Sequence, residues 1–189
     1  EPLLRTYTKF NVHLHPTEMS WGGLNMLYLP WICEDNEKQS LDLITNTQSQ
    51  ICVGHLEIAG FEVFAGQFHD KGLSASVFDK FFMTLSGHFH HKSSAGGIHY
   101  LGTPYQMYWN DYGDIRGFHI LDTETLELKF IENPNQIFIK LAYDDRNKTL
   151  EEVLDLSQQN LAGKFIKVVI QNKSNPYYFD QFLEFIYTH

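Results

Sequence analysis

Cysteine is scarce in this chain. Cys33 and Cys52 fall in different segments and make no Cys-x-x-Cys pair, which removes a disulfide framework and a zinc ribbon from consideration and fits a reducing, cytosolic setting. No apolar run approaches the roughly 20 residues of a membrane-spanning helix, and the opening EPLLRTYTKF lacks the charged-then-apolar order of a secretion signal. These absences predict a soluble, unsecreted protein with no membrane partner. Also missing are Gly-x-x-x-x-Gly-Lys-Ser/Thr, Gly-x-Ser-x-Gly and Gly-x-Gly-x-x-Gly, so a nucleotide P-loop, a hydrolase elbow and a Rossmann site lack support. Basic side chains are short as well: 14 Lys and Arg stand against 23 Asp and Glu, for a formal charge of -9. That deficit weighs against a nucleic-acid partner, whose phosphates are normally met by a cationic surplus. Its distribution changes the weight. Residues 1–133 hold 8 basic and 16 acidic side chains, whereas 134–189 hold 6 and 7, so the acidity of the first part suits divalent cations and DNA binding stays open.

What is present is enough for one good core, or a core plus a small satellite: 189 residues, 43% hydrophobic and 15% aromatic. KFNVHLHP alternates around Phe10, Val12 and Leu14 and predicts a strand, and GLNMLYLPWI predicts a second one ended by Pro30. EDNEKQSLDLITNT predicts a short helix that closes on Asn46. Ile51–Val53 reads as a buried strand, Val77–Phe81 as a short helix and Phe82–Leu85 as another buried strand. Gly117–Asp122 and Leu126–Ile131, joined by Thr-Glu-Thr, predict a β-hairpin. Asn133–Gln136 is a turn cluster and the expected domain boundary. Beyond it IFIKLAY, TLEEVLDLSQQNLAG, KFIKVVIQN and NPYYFDQFLEFIYTH predict a strand, helix, strand and helix, part of a small α+β module. The fold class expected is α/β (α+β).

Two buried strands end in the same way. ICV is followed by Gly54-His55, and FMTL by Ser86 and then Gly87-His88-Phe89-His90. A glycine corner at a strand's carboxyl end delivers an imidazole where open α/β sheets place their ligands. In extended chain, residues i and i+2 point the same way, so His88 and His90 can serve one site or two adjacent metals. Neutral imidazole suits Mn, Fe, Zn and Ni, and glycine lets backbone approach the ion. Glu57 reads either as a carboxylate supporting an imidazole N–H or as a plain surface charge. His13 and His15 are also spaced i, i+2, but Pro16 follows them and a solvent-facing strand accounts for them. His69, His91, His99, His119 and His189 have no matching context and are expected on the surface. Tyr105, Tyr108, Trp109 and Tyr112 could stack on bases, although as isolated residues they more often belong to a core or a hydrogen-bonded surface.

In this order, CVGHLEIAGF followed by LSGHFHHKSSAGGIHYLGTPYQMYWNDYGDIRGFHILDTET resembles the carboxyl-terminal half of calcineurin-like metallophosphoesterases, in particular SbcD-type recombination and repair nucleases of tailed phages. The resemblance is strong from about Trp31 to Glu132. It implies a two-sheet sandwich flanked by helices, with residues 1–133 as the carboxyl-terminal portion of the phosphoesterase domain and 134–189 as part of a DNA-binding cap. It implies two divalent metals, usually manganese with Mg, Fe or Zn as substitutes, that hydrolyse phosphodiester bonds in DNA. Carried over by motif, His55 and His88 would bind one metal and His90 the other. It further implies an ABC-type (SMC-like) ATPase partner, a homodimer made through the amino-terminal half, and work in the cytoplasm, that of the host for a phage protein.

The family's opening series, Asp-x-His, Gly-Asp-x-x-Asp and Gly-Asn-His-Glu/Asp, is absent, and with it the bridging carboxylate and the histidine that would protonate the leaving group. The chain therefore reads as an internal or amino-truncated piece expected to bind metal weakly and to hydrolyse little. Two other readings stand beside the nuclease: a phosphoesterase acting on other substrates, and a noncatalytic module binding DNA or a partner.

Overall fold

The computed structural model describes residues 6–9, 12–64, 66–156 and 159–188, so Phe10 of the expected first strand and His189 lie outside the described residues. The chain is α+β and divides into two compact units, Glu1–Pro104 with Gly113–Asn133, and Tyr105–Tyr112 with Pro134–His189. Tyr105–Tyr112, which a boundary at Asn133–Gln136 would assign to the first part, thus groups with the carboxyl-terminal unit.

The first unit is built on strands β1 (Thr17–Trp21), β2 (Leu24–Leu29), β3 (Ile51–Gly54), β6 (Met83–Ser86), β7 (Ser93–Ala95) and β8 (Ile98–Tyr100), in the spatial order β1-β2-β3-β6-β8-β7. Neighbours β2, β3, β6 and β8 run parallel, and the hairpin strands β1 and β7 close the edges antiparallel. The parallel strands are buried on both faces, which is why LNMLYL and ICV read as nearly continuous apolar runs. Along β2, Leu24 and Met26 enter one cluster with Ile51, Met83 and Leu85, while Leu27 and Leu29 enter the other with Cys52, Ile98 and Tyr100. Helix α1 (Glu37–Asn46) covers the second cluster through Ile44. The hairpin β9 (Gly117–Leu121) and β10 (Leu128–Glu132) covers the first through Leu121, Leu126 and Leu128. A small hairpin, β4 (Glu62–Phe64) and β5 (Gln67–Phe68), lies in the excursion between β3 and β6.

Three local expectations are corrected. His13 and His15 are exposed as expected but lie in irregular chain, with the strand starting only at Thr17. The ladder with β2 ends at Thr17↔Tyr28. The next two steps of the register would involve Pro16, opposite Leu29, and then Pro30, opposite His15, and neither proline has the N–H needed to extend the ladder. In place of a helix at Val77–Phe81 there is one 3-10 turn, Ala75–Phe78, capped by the Ser74 hydroxyl.

The third correction lies in the carboxyl-terminal unit, where β11 (Phe138–Asp144) and β12 (Phe165–Asn172) pair in parallel and are joined by helix α2 (Leu150–Leu154). Thr149 and Glu152 cap α2 reciprocally. The helix stops far short of Gly163 because Leu154 and Leu156 both pack on the core of this unit. Residues two apart would point to opposite sides of an α-helix. Helix α3 (Pro176–Thr188) starts where expected, the Asn175 side chain accepting from Tyr177 N at 3.0 Å.

Asp145 ties this unit together. Its buried carboxylate accepts from Ser174 N at 2.8 Å, Asn175 N at 2.7 Å, the Asn172 amide at 2.7 Å and the Tyr143 hydroxyl at 3.2 Å. Burial alone would raise its pKa, but the donated hydrogen bonds outweigh it and hold the group down from 3.8 to about 2. A carboxyl depressed in the folded state adds stability above its ordinary value and loses it as pH falls through the folded value. Denaturant melts of wild type between pH 5 and pH 2 should therefore show stability falling below about pH 4, and Asp145→Asn should be weaker at pH 5 with a flatter pH dependence. Parallel curves for the two proteins would contradict this.

Candidate metal centre at the ends of three parallel strands

Register assembles the site. Leu29 of β2 lies opposite Gly54 of β3, Gly54 opposite Ser86 of β6, and Ser86 opposite Tyr100 of β8. Three neighbouring strands therefore finish at one level, and the residues just beyond them, Trp31, His55 and His88, meet. His88 Nδ1 stands 3.2 Å from His55 Nε2, and their rings meet edge to face at a centroid distance of 5.0 Å. The Trp31 ring lies 5.7 Å from that of His55 and 4.9 Å from that of His88.

Each arm of the site has its own support. The strand exit 55–58 is clamped by two fully buried hydroxyls: Ser86 Oγ accepts from Leu56 N at 3.0 Å, and Tyr100 Oη donates to Leu56 O at 2.8 Å while accepting from Ile58 N at 2.9 Å. Burial pushes the Tyr100 phenol up to about 12, so it stays a neutral donor. Asn36 fixes the Trp31 arm by donating to Trp31 O at 2.8 Å and accepting from Cys33 N at 2.9 Å. The 87–91 loop is pinned three times. Phe89 is buried in the core, the His90 carbonyl accepts from Thr103 N at 3.2 Å and from the Arg116 guanidinium, and His91 sits between Glu62 at 3.0 Å and Asp114 at 2.8 Å. Arg116 also pairs with Asp114 at 2.8 Å.

His91 is therefore a half-buried brace and not the surface residue expected. Glu57 does meet an imidazole, but it is that of His69, at 2.6 Å, and not that of His55. His69, expected on the surface, lies beside the site, its ring 5.4 Å from that of Phe89, which in turn stands 4.9 Å from that of His88. Burial first, and then the neighbouring His55, hold His88 below the ordinary 6.5, with Glu57 pulling the other way and His69 and His90 adding to the depression. His88 is thus kept neutral, the form that ligates metals. Beside His55 a cleft of about 330 Å³ is lined by Trp31, Cys33, Glu34, Glu37, Glu57 and Gly72, among others.

The glycines divide their roles differently from the sequence reading. A Cβ on Gly87 would stand 3.9 Å from His55 Nδ1, in ordinary contact, so the corner leaves room. Gly54 is the tight one, since a Cβ there would meet Leu56 Cδ2 at 2.9 Å and Leu29 O at 3.0 Å.

Two imidazole nitrogens on one tetrahedral ion stand about 3.4 Å apart when each bond is about 2.1 Å, so the His55–His88 pair fits half of such a shell. Among the described residues no group of three or more His, Cys, Asp or Glu converges as a metal-binding set. The structure brings His55 and His88 together; it does not assemble a fuller ligand group with His90.

The arrangement defines a pair of imidazoles at the carboxyl edge of a parallel sheet. No protein-family model matches the chain. Over 146 residues, 77% of its length, the chain is 34% identical to exonuclease subunit 1 of Enterobacteria phage T4, and the matched stretch spans 43% of that protein. The chain is thus a relative of a phage nuclease subunit and corresponds to less than half of it.

Gly54→Ala should lower stability by about 1–3 kcal/mol through overpacking, whereas Gly87→Ala should leave the melting temperature near wild type. Tyr100→Phe, which leaves Ile58 N–H without its buried acceptor, should cost about 1–3 kcal/mol. Thermal melts of the three variants check the order; equal effects of the two glycine changes would show that the strand exits are not packed as described.

Proposed function

We propose that this chain is part of a metal-dependent DNA nuclease of the calcineurin-like, SbcD type, and that His55 and His88 hold one divalent cation while His90 serves a second. The observation that carries the reading is the meeting of two Gly-His corners from neighbouring parallel strands, in a chain similar to an exonuclease subunit. On this reading the first unit is one portion of a two-sheet phosphoesterase domain and the second is part of a cap. Manganese is the favoured cation, with Mg, Fe or Zn as alternatives. An ABC-type ATPase subunit, a homodimeric partner and the host cytoplasm belong to the same proposal.

When bound, such ions neutralise charge on a phosphodiester and lower the pKa of water that attacks it. The chain's own part is to present nitrogen donors. Because burial and His55 keep His88 neutral, it needs to shed no proton before ligating. Ser86 and Tyr100 fix the backbone that carries His55, and Phe89, Arg116 and His91 fix the loop that carries His88 and His90. Trp31 stands beside both imidazoles and lines one side of the pair. The described residues offer only half of a four-coordinate shell, so the remaining donors are assigned to parts of the protein outside them.

Titration calorimetry with Mn²⁺ tests the donor assignment: the chain alone should bind weakly, and His55→Ala and His88→Ala should each remove that binding. In the complete protein His90→Ala should reduce Mn-dependent cleavage of DNA by at least about 10- to 100-fold, the loss seen when even a supporting residue is removed. The 189-residue chain alone should hydrolyse little or no DNA. Unchanged cleavage by the His90 variant would overturn its role, and metal-free behaviour of the complete protein would favour a binding module.

A further inference from the structure

Most of the stretch Tyr-Leu-Gly-Thr-Pro, residues 100–104, has no part in the metal reading, although it follows directly from β8 beside the site. Its residues reach the exits of two neighbouring strands. Tyr100 Oη donates to Leu56 O and accepts from Ile58 N, and so addresses the segment that carries His55. Leu101 N donates at 2.9 Å to Ser86 O, the last carbonyl of β6 before the Gly87 corner. Gly102 and Thr103 turn to the His90 carbonyl instead. Thr103 N donates to it at 3.2 Å, and the Arg116 guanidinium donates both to it and to Thr103 Oγ1, the latter at 2.9 Å. Pro104 O accepts from the Asn133 side chain at 2.9 Å. Gln106, two residues on, already serves the carboxyl-terminal unit, its buried carboxamide accepting from Ile137 N at 2.8 Å and Phe138 N at 3.0 Å.

The cradle around the His90 carbonyl is tight and charged. Gly102 has φ +72°, and a Cβ there would stand 2.9 Å from His90 O and 3.2 Å from Lys92 N, so glycine is what lets the two segments come this close. Arg116 is buried, and its charge is met at 2.8 Å by Asp114, which meets His91 at the same distance. His91 reaches Glu62 at 3.0 Å as well. The peptide joining His90 to His91 is therefore held from two directions, through its carbonyl by Thr103 and Arg116 and through the next side chain by two carboxylates. A hydrogen bond from a guanidinium is stronger than one between neutral groups. With its backbone fixed in this way, His90 has only side-chain torsions left to settle, and a cation that meets it is spared the cost of ordering a loop. The His55 arm is held by other groups, the hydroxyls of Ser86 and Tyr100.

We infer that residues 100–104 and Arg116 form a divided positioning device, in which Tyr100 acts through His55 on one cation while Gly102, Thr103 and Arg116 act through His90 on the other. This rests on the proposed assignment of His55 and His88 to one ion and of His90 to a second. What it adds is that the two ions have separate supports, so that their affinities change one at a time when residues that touch neither ion are altered. These are positioning residues, since each reaches an ion only through the backbone that carries a histidine. Removing supporting groups of this kind costs about 10- to 100-fold in metal affinity, and the hydrogen bonds say which ion each change reaches.

Stepwise Mn²⁺ binding by the complete protein tests it, read by titration calorimetry and by the electron-spin coupling of paired Mn²⁺ ions, with the two steps assigned by their loss in His55→Ala and His90→Ala. Arg116→Met and Gly102→Ala should each weaken the His90 step about 10- to 100-fold and leave the His55 step close to wild type, whereas Tyr100→Phe should do the reverse. Arg116→Lys, which can still donate a charged hydrogen bond to the His90 carbonyl, should recover much of the loss. Should Arg116→Met not fold, Gly102→Ala and Arg116→Lys carry the same comparison. Equal weakening of both steps, an unchanged His90 step in a folded Arg116→Met or Gly102→Ala protein, or no recovery with Arg116→Lys would each overturn the division. In the 189-residue chain in EDTA, hydrogen exchange at Thr103 N–H should quicken in Gly102→Ala, because the added Cβ displaces its acceptor; unchanged exchange would overturn the cradle with no metal involved. A His90 step missing from the wild-type complete protein strikes the metal reading and this inference with it, while two steps that do not separate in these variants strike this inference alone.

Discussion

The level at which β2, β3, β6 and β8 finish governs the candidate site. Parallel pairing sets Leu29, Gly54, Ser86 and Tyr100 in one row, so the side chains just past that row are neighbours before any loop is considered. A shift of one residue in β3 would turn its side chains to the opposite face and carry His55 away from His88. The apolar residues of β2 and β3 oppose such a shift, because they are divided between two separate clusters and both would be broken together. The hydroxyls of Ser86 and Tyr100 add a second lock by taking the polar backbone groups of Leu56 and Ile58 that no strand partner meets.

Three acidic groups near the imidazole pair have partners of their own. Glu57 is turned to His69, while Glu62 and Asp114 enclose His91, and Asp114 also neutralises the buried Arg116. The charges of Glu62 and Asp114 brace the loop, while Glu57 lies in the cleft beside His55 and also acts on His88. Electrostatics and packing thus cooperate: the same interactions that hold the 87–91 loop keep His88 near a second imidazole, whose presence favours the neutral ring.

Much of this was legible because it is local. The buried strands, their glycine ends, the β9–β10 hairpin and the start of α3 all depend on residues adjacent in sequence. The meeting of His55 with His88 was expected only from the family resemblance, because the register of β3 against β6 brings the two together. What escaped was set by distant partners. Trp31 joins the site only because β2 neighbours β3, and Asn36 supports it only through the turn before α1. His91 and His69 owe their places to Asp114, Glu62 and Glu57, which no spacing rule connects to them. The end of α2 escaped for a related reason, since a helical pattern of leucines was overruled by the core they share. Pro16 and Pro30 argue against extending the first strand only once the register of the hairpin is known.

The Gln106 hydrogen bonds carry a consequence for how this protein can be rearranged in evolution. The first two amides of the β11 arm are capped by a glutamine that precedes them in the chain by about thirty residues, with the whole β9–β10 hairpin in between. The carboxyl-terminal unit is therefore not a cassette. Recombination at Asn133/Pro134 would transplant β11 without its cap and bare Phe138 where Trp109 now packs on it, so exchange between related chains must carry residues 105–112 along with 134–189.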